Sequence, residues 1–355
     1  MKSLSLDTTT LAARQRSVSF IMLQVIIALT PGIVVYALFI DKQILIKLTL
    51  AVLCALLFES VLVKLRSRSV AQAIKDLSIV LASVLLALSL PQTLPIWQLI
   101  FGVFILCTLG KHVFGGLGHN PFNPAMVAYA VLIISFPQTM TQWNTDLGLF
   151  DSSPQSIISH TDIQAEQTTD NTNGITRATP LDRLHAESLV YDGENATDES
   201  PLTPIITEQT KADKVMDSDW LWLNVAWLLG GIYLLMRRII SWHIPASVLS
   251  TAFTMYLVFG LLSSQSFLPA HIAIVSGAII FGAFFIATDP VSSASSNAGK
   301  LVYGIGIGVF CFFIREFSAY PEGMAFGILL MNMMVPLIDH SFRRTAAIPN
   351  DPAQQ

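Results

Sequence analysis

Charge is what this chain has least of. Only 12% of its 355 residues are Asp, Glu, Lys or Arg, while 53% are hydrophobic. A soluble domain of this length needs more charge on its surface, so the composition excludes that class and points to an integral membrane protein. Cysteine is also scarce. Cys54, Cys107 and Cys311 each fall inside an apolar run, with no CxxC and no Cys/His cluster. That excludes a disulfide framework and offers no metal site, and the thiols read as small buried hydrophobes. A small-residue cleavage site after the first apolar run is missing too. Despite Lys2, Arg14 and Arg16 ahead of it, that run reads as a retained span rather than a signal peptide.

What is present is a series of apolar runs, expected as spans at about Ile21–Ile40, Ile44–Val63, Leu77–Leu94, Ile96–Leu109, Met126–Pro137, Trp220–Leu235, Ile244–Leu262, Ala270–Ala287, Leu301–Ile314 and Gly323–Ile338. Several are near the short end of what crosses a bilayer. The expected fold is all-α, about ten transmembrane helices in two five-helix halves. Residues 1–137 form the first half, 138–217 a polar, mostly irregular insert, 218–340 the second half and 341–355 a tail. An odd number of spans per half makes the halves inverted, which is a transporter signature. Asn123–Tyr129 and Tyr320–Phe326 are weakly alike, and each precedes the last span of its half.

The insert is acidic, with Asp146, Asp151, Asp162, Glu166 and Asp170 among its carboxylates and only Arg177, Arg183, Lys211 and Lys214 as bases. The bases of the short loops (Lys64, Arg66, Arg68 and Lys75, then Lys111, Arg237 with Arg238, Lys300, and Arg343 with Arg344) fall on one side if the spans alternate. That side is the cytoplasm, which holds both termini and leaves the insert on the periplasmic face of a bacterial inner membrane. Lys42, Lys47 and Arg315 are the exceptions. Trp97, Trp143, Trp220 and Trp242 fall near span ends as an aromatic belt.

Four features could carry chemistry. In the insert, Asn173-Gly174-Ile175-Thr176-Arg177-Ala178-Thr179-Pro180 offers the Thr179 hydroxyl between a permissive glycine and a proline that fixes the chain behind it. The same residues also suit an ordinary turn. Gly115–Ala125, with Asn120 and Asn123, is too rich in breakers for a regular helix, and reads as a re-entrant stretch facing a cofactor or as a surface turn. Thr288–Asn297 could bind a phosphate, a flavin edge or a cation, or could simply start a helix with Asp289 or Ser292 as cap. Glu59 is an acid inside a span and so a candidate for an ion path, as is Asp289; alternatively Glu59 pairs with Lys64 a turn away, while Asp339 lies at the interface. Gly304, Gly306 and Gly308 imitate a nucleotide loop but, inside an apolar span, read as close helix packing.

Gly115–Leu132, Ala178–Asp182, Thr288–Asn297 and Tyr320–Asn332 together resemble, in order and spacing, the RnfD family, the D component of the Rnf ion-translocating electron-transport complex. Its sister family is the B component of the sodium-translocating NADH:quinone reductase; the chain lacks that family's longer N-terminal extension. The resemblance implies FMN joined through its phosphate to a threonine in a D-G-x-[ST]-x-A-T pattern, installed by an FMN transferase. Here that threonine is Thr179, with Gly174, Thr176, Arg177 and Ala178 in the pattern and Asn173 where Asp is usual. Asp170 lies three residues earlier, and the Arg177 charge could pair with the FMN phosphate.

The resemblance also implies a redox-carrier role, not catalytic alone, in a complex that couples ferredoxin- and NAD-linked electron transfer to Na⁺ or H⁺ movement. Partners would be the other Rnf subunits (A, B, C, E and G), the transferase and membrane lipid, with no nucleic acid. A second, non-covalent flavin (riboflavin) is implied for the membrane portion, with Asn120, Asn123, Asp289 and Ser292 as candidates. The rival from another class is a small-solute channel or transporter of the same architecture.

Overall fold

Where the apolar runs become helices is decided mostly by the prolines and glycines that interrupt them. The computed structural model describes residues 18–116, 118–141, 218–262, 267, 269–275, 277–318 and 322–346, and every regular element among them is helical. The Thr179 stretch lies outside the described residues.

Helix α1, Val18–Val35, runs through Pro31 and ends in a π-helical turn, Tyr36–Ile40. Helix α2 is Ile44–Leu65 and the short α3 is Val70–Lys75. Helix α4, Ser78–Ser89, is shorter than the expected run to Leu94, because Pro91 and Pro95 cannot donate the hydrogen bonds that would continue it. Helix α5, Ile96–Cys107, starts immediately after Pro95 and passes into a second π-helical turn, Thr108–His112. Helix α6, Pro124–Ser135, starts two residues before the expected Met126, with Pro124 as its first residue and Asn123 as its cap. The single turn α7, Pro137–Met140, follows.

In the second half, α8 is Ser218–Met236 and α9 is His243–Leu262. The run expected as one span over Ala270–Ala287 is broken. It consists of α10, Ala270–Val275, α11, Ile279–Phe281, and a third π-helical turn, Gly282–Ile286. Gly277 sits at this break, and a Cβ there would lie 2.5 Å from both Arg315 Nη2 and Glu322 Oε1, so two polar side chains from a distant stretch fill the space beside it. Helix α12, Asn297–Phe317, and α13, Met324–Ala346, complete the bundle.

Among the described residues, five helical stretches, Val18–Ile40, Ile44–Leu65, His243–Leu262, Asn297–Phe317 and Met324–Phe342, are long and apolar enough to cross a membrane. Ser78–Ser89, Ile96–His112, Pro124–Ser135 and Trp220–Met236 are shorter apolar helices beside them. The chain is a multi-pass membrane protein. Its outward faces carry large apolar side chains such as Leu45, Ile46, Leu57, Leu261 and Met333, as lipid contact requires.

The two halves pack in the same order. Helix α2 packs on α4 and α5, and α9 on α10 and α12; α5 packs on α6, and α12 on α13. Between halves, α1 meets α8 and α6 meets α13, so first faces first and last faces last. The α1–α8 contact is close because glycines remove side chains there: a Cβ at Gly32 would collide with the Trp227 ring, and one at Gly230 with the Ala28 carbonyl oxygen. The Tyr233 hydroxyl donates to Gln24 Oε1 at 2.7 Å across the same seam. Gly304 and Gly308 bring α12 against Ser247 and Thr251 of α9, and Gly306 faces Met331 of α13, which is helix packing and not a nucleotide loop.

Candidate functional site

An apolar bundle must satisfy each polar side chain that it buries. Two polar clusters and one cavity stand out.

The first cluster is where the irregular loop of each half comes together. Asn123 caps α6, its side-chain oxygen accepting from the Ala125 and Met126 N–H groups at 3.0 and 3.4 Å. Its amide donates to the carbonyl of Ile286, at the end of the third π-helical turn, at 3.5 Å. Asn332 of α13 lies between the loops. With its amide turned so that each donor meets an acceptor, its oxygen accepts from the Asn123 N–H at 3.0 Å, and its nitrogen faces Ile328 O at 3.3 Å, Ser292 O at 3.2 Å and Tyr303 Oη at 2.6 Å. Asn332 and Tyr303 are fully buried. In the loop 287–296, Ser292 donates its hydroxyl to Asp289 Oδ2 at 2.9 Å and the Val291 N–H donates to Oδ1 at 3.3 Å. Burial pushes the Asp289 carboxyl above its ordinary range, and these hydrogen bonds oppose the push. Neither Asp289 nor Ser292 caps the next helix. That cap is Ser296, whose hydroxyl accepts from the Gly299 N–H at 3.0 Å.

The second cluster corrects the expected pairing of Glu59 with Lys64. Glu59 is 1% exposed, and Lys111 Nζ donates to its Oε1 at 2.7 Å. His112 Nε2 lies 2.8 Å from Oε2, and Lys111 also donates to Ser78 Oγ at 3.1 Å. Lys111 is therefore a buried partner and not the loop charge that its place in the sequence suggests. Lys111 and His112 are consecutive residues at the end of the π-helical turn, and both reach the one carboxylate.

The cavity lies between the halves and holds about 90 Å³. Trp227, Phe281 and Tyr129 give it aromatic walls, and Tyr36, Asn224 and Glu322 bring polar atoms to it. Trp220 lines it as well, close to where the chain returns from the insert.

The sequence profile of the NQR2, RnfD, RnfE family matches residues 6–347. The chain belongs to this family. Among its relatives are proteins named as the D component of an ion-translocating oxidoreductase complex. The one from Aliivibrio salmonicida (strain LFI1238) is 40% identical over 341 residues, covering 93% of this chain and 94% of its own. The one from Erwinia tasmaniensis is 39% identical over 335 residues, covering 92% and 93%. The one from Escherichia fergusonii is 38% identical over 338 residues, covering 93% and 94%.

Of the residues that the family resemblance singles out, Asn123, Asp289 and Ser292 are joined into one network through Asn332 and Tyr303. Asn120 does not belong to its hydrogen bonds: its amide donates to Phe122 O at 3.0 Å, and its Oδ1 is buried without a partner. Glu59 stands apart with Lys111 and His112. Asp339, near the end of α13, accepts from the Ser295 N–H at 3.0 Å and so ties that helix to the second loop. Gly174, Thr176, Arg177, Ala178 and Thr179 fall outside the described residues. Sequence reasoning missed Asn332, although a lone Asn in the run Met331-Asn332-Met333-Met334 is a signal of a buried polar node.

Proposed function

We propose that this chain is a membrane flavoprotein subunit of an ion-translocating electron-transport complex, with FMN joined to Thr179 and electron transfer linked to Na⁺ or H⁺ movement. The observation that carries this is the near full-length match to relatives named as the D component of such a complex. Support comes from the Asn173–Thr179 motif, which lies in the polar segment between the two halves. The reading places that segment in the periplasm, where the transferase would act, and the basic ends of α2 and α3 in the cytoplasm. Partners are the other subunits of the complex, and electrons pass between ferredoxin and NAD.

The flavin supplies the redox chemistry, and the chain supplies binding, orientation and water exclusion. Arg177 would face the FMN phosphate. A second, non-covalent flavin (riboflavin) would take Asn120, whose buried side-chain oxygen is available to an N–H donor. Asn123, Asp289 and Ser292 have polar atoms already engaged in the inter-loop network, so they would shape that site more than bind in it. Met126 and Met324, flexible side chains, line the cavity between the halves.

The test is a denaturing gel of the chain co-expressed with an FMN transferase, viewed under ultraviolet light. A fluorescent band that disappears in Thr179→Val supports the reading. A dark wild-type band would contradict it and favour a flavin-free transporter of the same architecture.

A further inference from the structure

Backbone that leaves the helix among apolar side chains must find partners other than water. At the break between α10 and α11 they come from three other elements. Asn224 of α8 donates its amide to the Val275 carbonyl at 2.7 Å, and Arg315 of α12 donates from Nη1 to the Ala273 carbonyl at 2.9 Å. Glu322, ahead of α13, accepts the Ala278 N–H on Oε1 at 3.2 Å. Gly277 lies against the last two side chains, since a Cβ there would meet Arg315 Nη2 and Glu322 Oε1 at 2.5 Å each.

Arg315 is only 2% exposed. The base that departs from the one-sided pattern of loop charges is therefore an internal cation and not a loop charge. Its surroundings are those a free cation would seek. The last carbonyls of a helix have no N–H partner within it, and one of them, Ala273 O in the short α10, faces the guanidinium. The Glu322 carboxylate borders the same glycine. Unwound carbonyls in broken membrane helices hold small cations in this way, and here the charge arrives on a side chain. Glu316, next in the chain, is turned to α9, where its Oε1 accepts the Tyr256 hydroxyl at 2.6 Å. Gly277, Ala278, Asn224 and Glu322 also form part of the wall of the cavity between the halves, so the break borders open space.

We propose that the Arg315 guanidinium is a built-in cation at the break of the second half. It fills a site, formed by the Ala273 carbonyl and the Glu322 carboxylate, that takes a free monovalent cation once the side chain is removed. The ligand class is a small cation that donates hydrogen bonds in a plane, and the guanidinium ion is its nearest match. With its own side chain in the site, the break keeps its shape without a mobile ion, and an ion moved by the complex finds no vacancy there. The proposal stands apart from FMN at Thr179 and does not depend on it.

Chemical rescue tests this, read as thermal unfolding of the whole chain in lipid nanodiscs. Arg315→Ala should melt below wild type. Guanidinium chloride at about 20 mM, far too dilute to denature, should raise the midpoint of the variant by about 3 °C or more along a saturating curve, and equal KCl should not. Wild type should respond to neither salt. Arg315→Ala/Glu322→Gln lacks the carboxylate of the site and should not respond either. A single variant that guanidinium stabilises no better than KCl would overturn the proposal, as would equal stabilisation of wild type or of the double variant. If Arg315→Ala yields no folded protein, it is made by cell-free synthesis into nanodiscs with each salt present. Recovery of monodisperse protein with guanidinium and not with KCl supports the site, and failure with both overturns it.

Discussion

Two loops of similar wording are held in opposite ways. Asn120-Pro121-Phe122-Asn123 closes the irregular stretch of the first half, and Asp289-Pro290-Val291-Ser292 opens that of the second. The second loop is tied mainly by its own side chains, with Asp289 receiving Ser292 and the Val291 N–H, and Ser296 capping the next helix. The first is tied from outside, by Arg66, Arg68 and the ion pair rooted in α2. Asn332 touches both. A loop held by distant charges depends on the elements that carry them, whereas one held by its own short-range hydrogen bonds depends mainly on itself. The bundle thus joins an externally tethered loop in one half to a largely self-tied one in the other.

Substitutions can break this comparison at different depths. The largest effect is expected from Gly230→Val, which removes the frame both loops share by driving side-chain atoms into the α1 backbone. It should leave no folded monodisperse protein in detergent, read by size-exclusion chromatography. Next is Lys111→Met, which strands the buried Glu59 charge and disturbs the first loop only. It should destabilise by about 3–5 kcal/mol, and the double variant Glu59→Met/Lys111→Met should recover most of that. Thermal unfolding of both proteins checks the pair, and a double variant as weak as the single would deny that the stranded charge is the cause.

Asn332→Leu strikes both loops at once. It leaves the Asn123 N–H and the Ser292 carbonyl without their partner, and should cost about 1–3 kcal/mol by the same measurement. Ser296→Ala removes only the cap beyond the second loop and should cost about 1 kcal/mol. If it loosened the Gly-rich loop of the first half in hydrogen exchange, the separation of the two loops would be wrong.

Most helix positions were legible because Pro91, Pro95, Pro124 and Pro137 punctuate runs that are otherwise uniformly apolar. The break at Gly277 was not, since a single glycine inside an apolar run reads as close packing as readily as a break; Arg315 and Glu322 reach it from another part of the chain. The partner of Glu59 was equally hidden. Lys64 is near in sequence, but Lys111 is 52 residues away and sits in a π-helical turn, which no hydrophobic period encodes. Asp289 and Ser292 were singled out in the sequence, and the structure joins them to Asn123 through Asn332, a residue noted there only as the end of the Tyr320–Asn332 stretch. Thr179 lies outside the described residues and was singled out by motif alone, as the proposed point of flavin attachment.

That attachment is the central claim, and the intact mass of the purified subunit tests it most directly. Co-expressed with the transferase, wild type should be heavier than its sequence by one FMN joined with loss of water, and Thr179→Val should not. A wild-type mass equal to that of the bare sequence, or added FMN that persists in Thr179→Val, would contradict it.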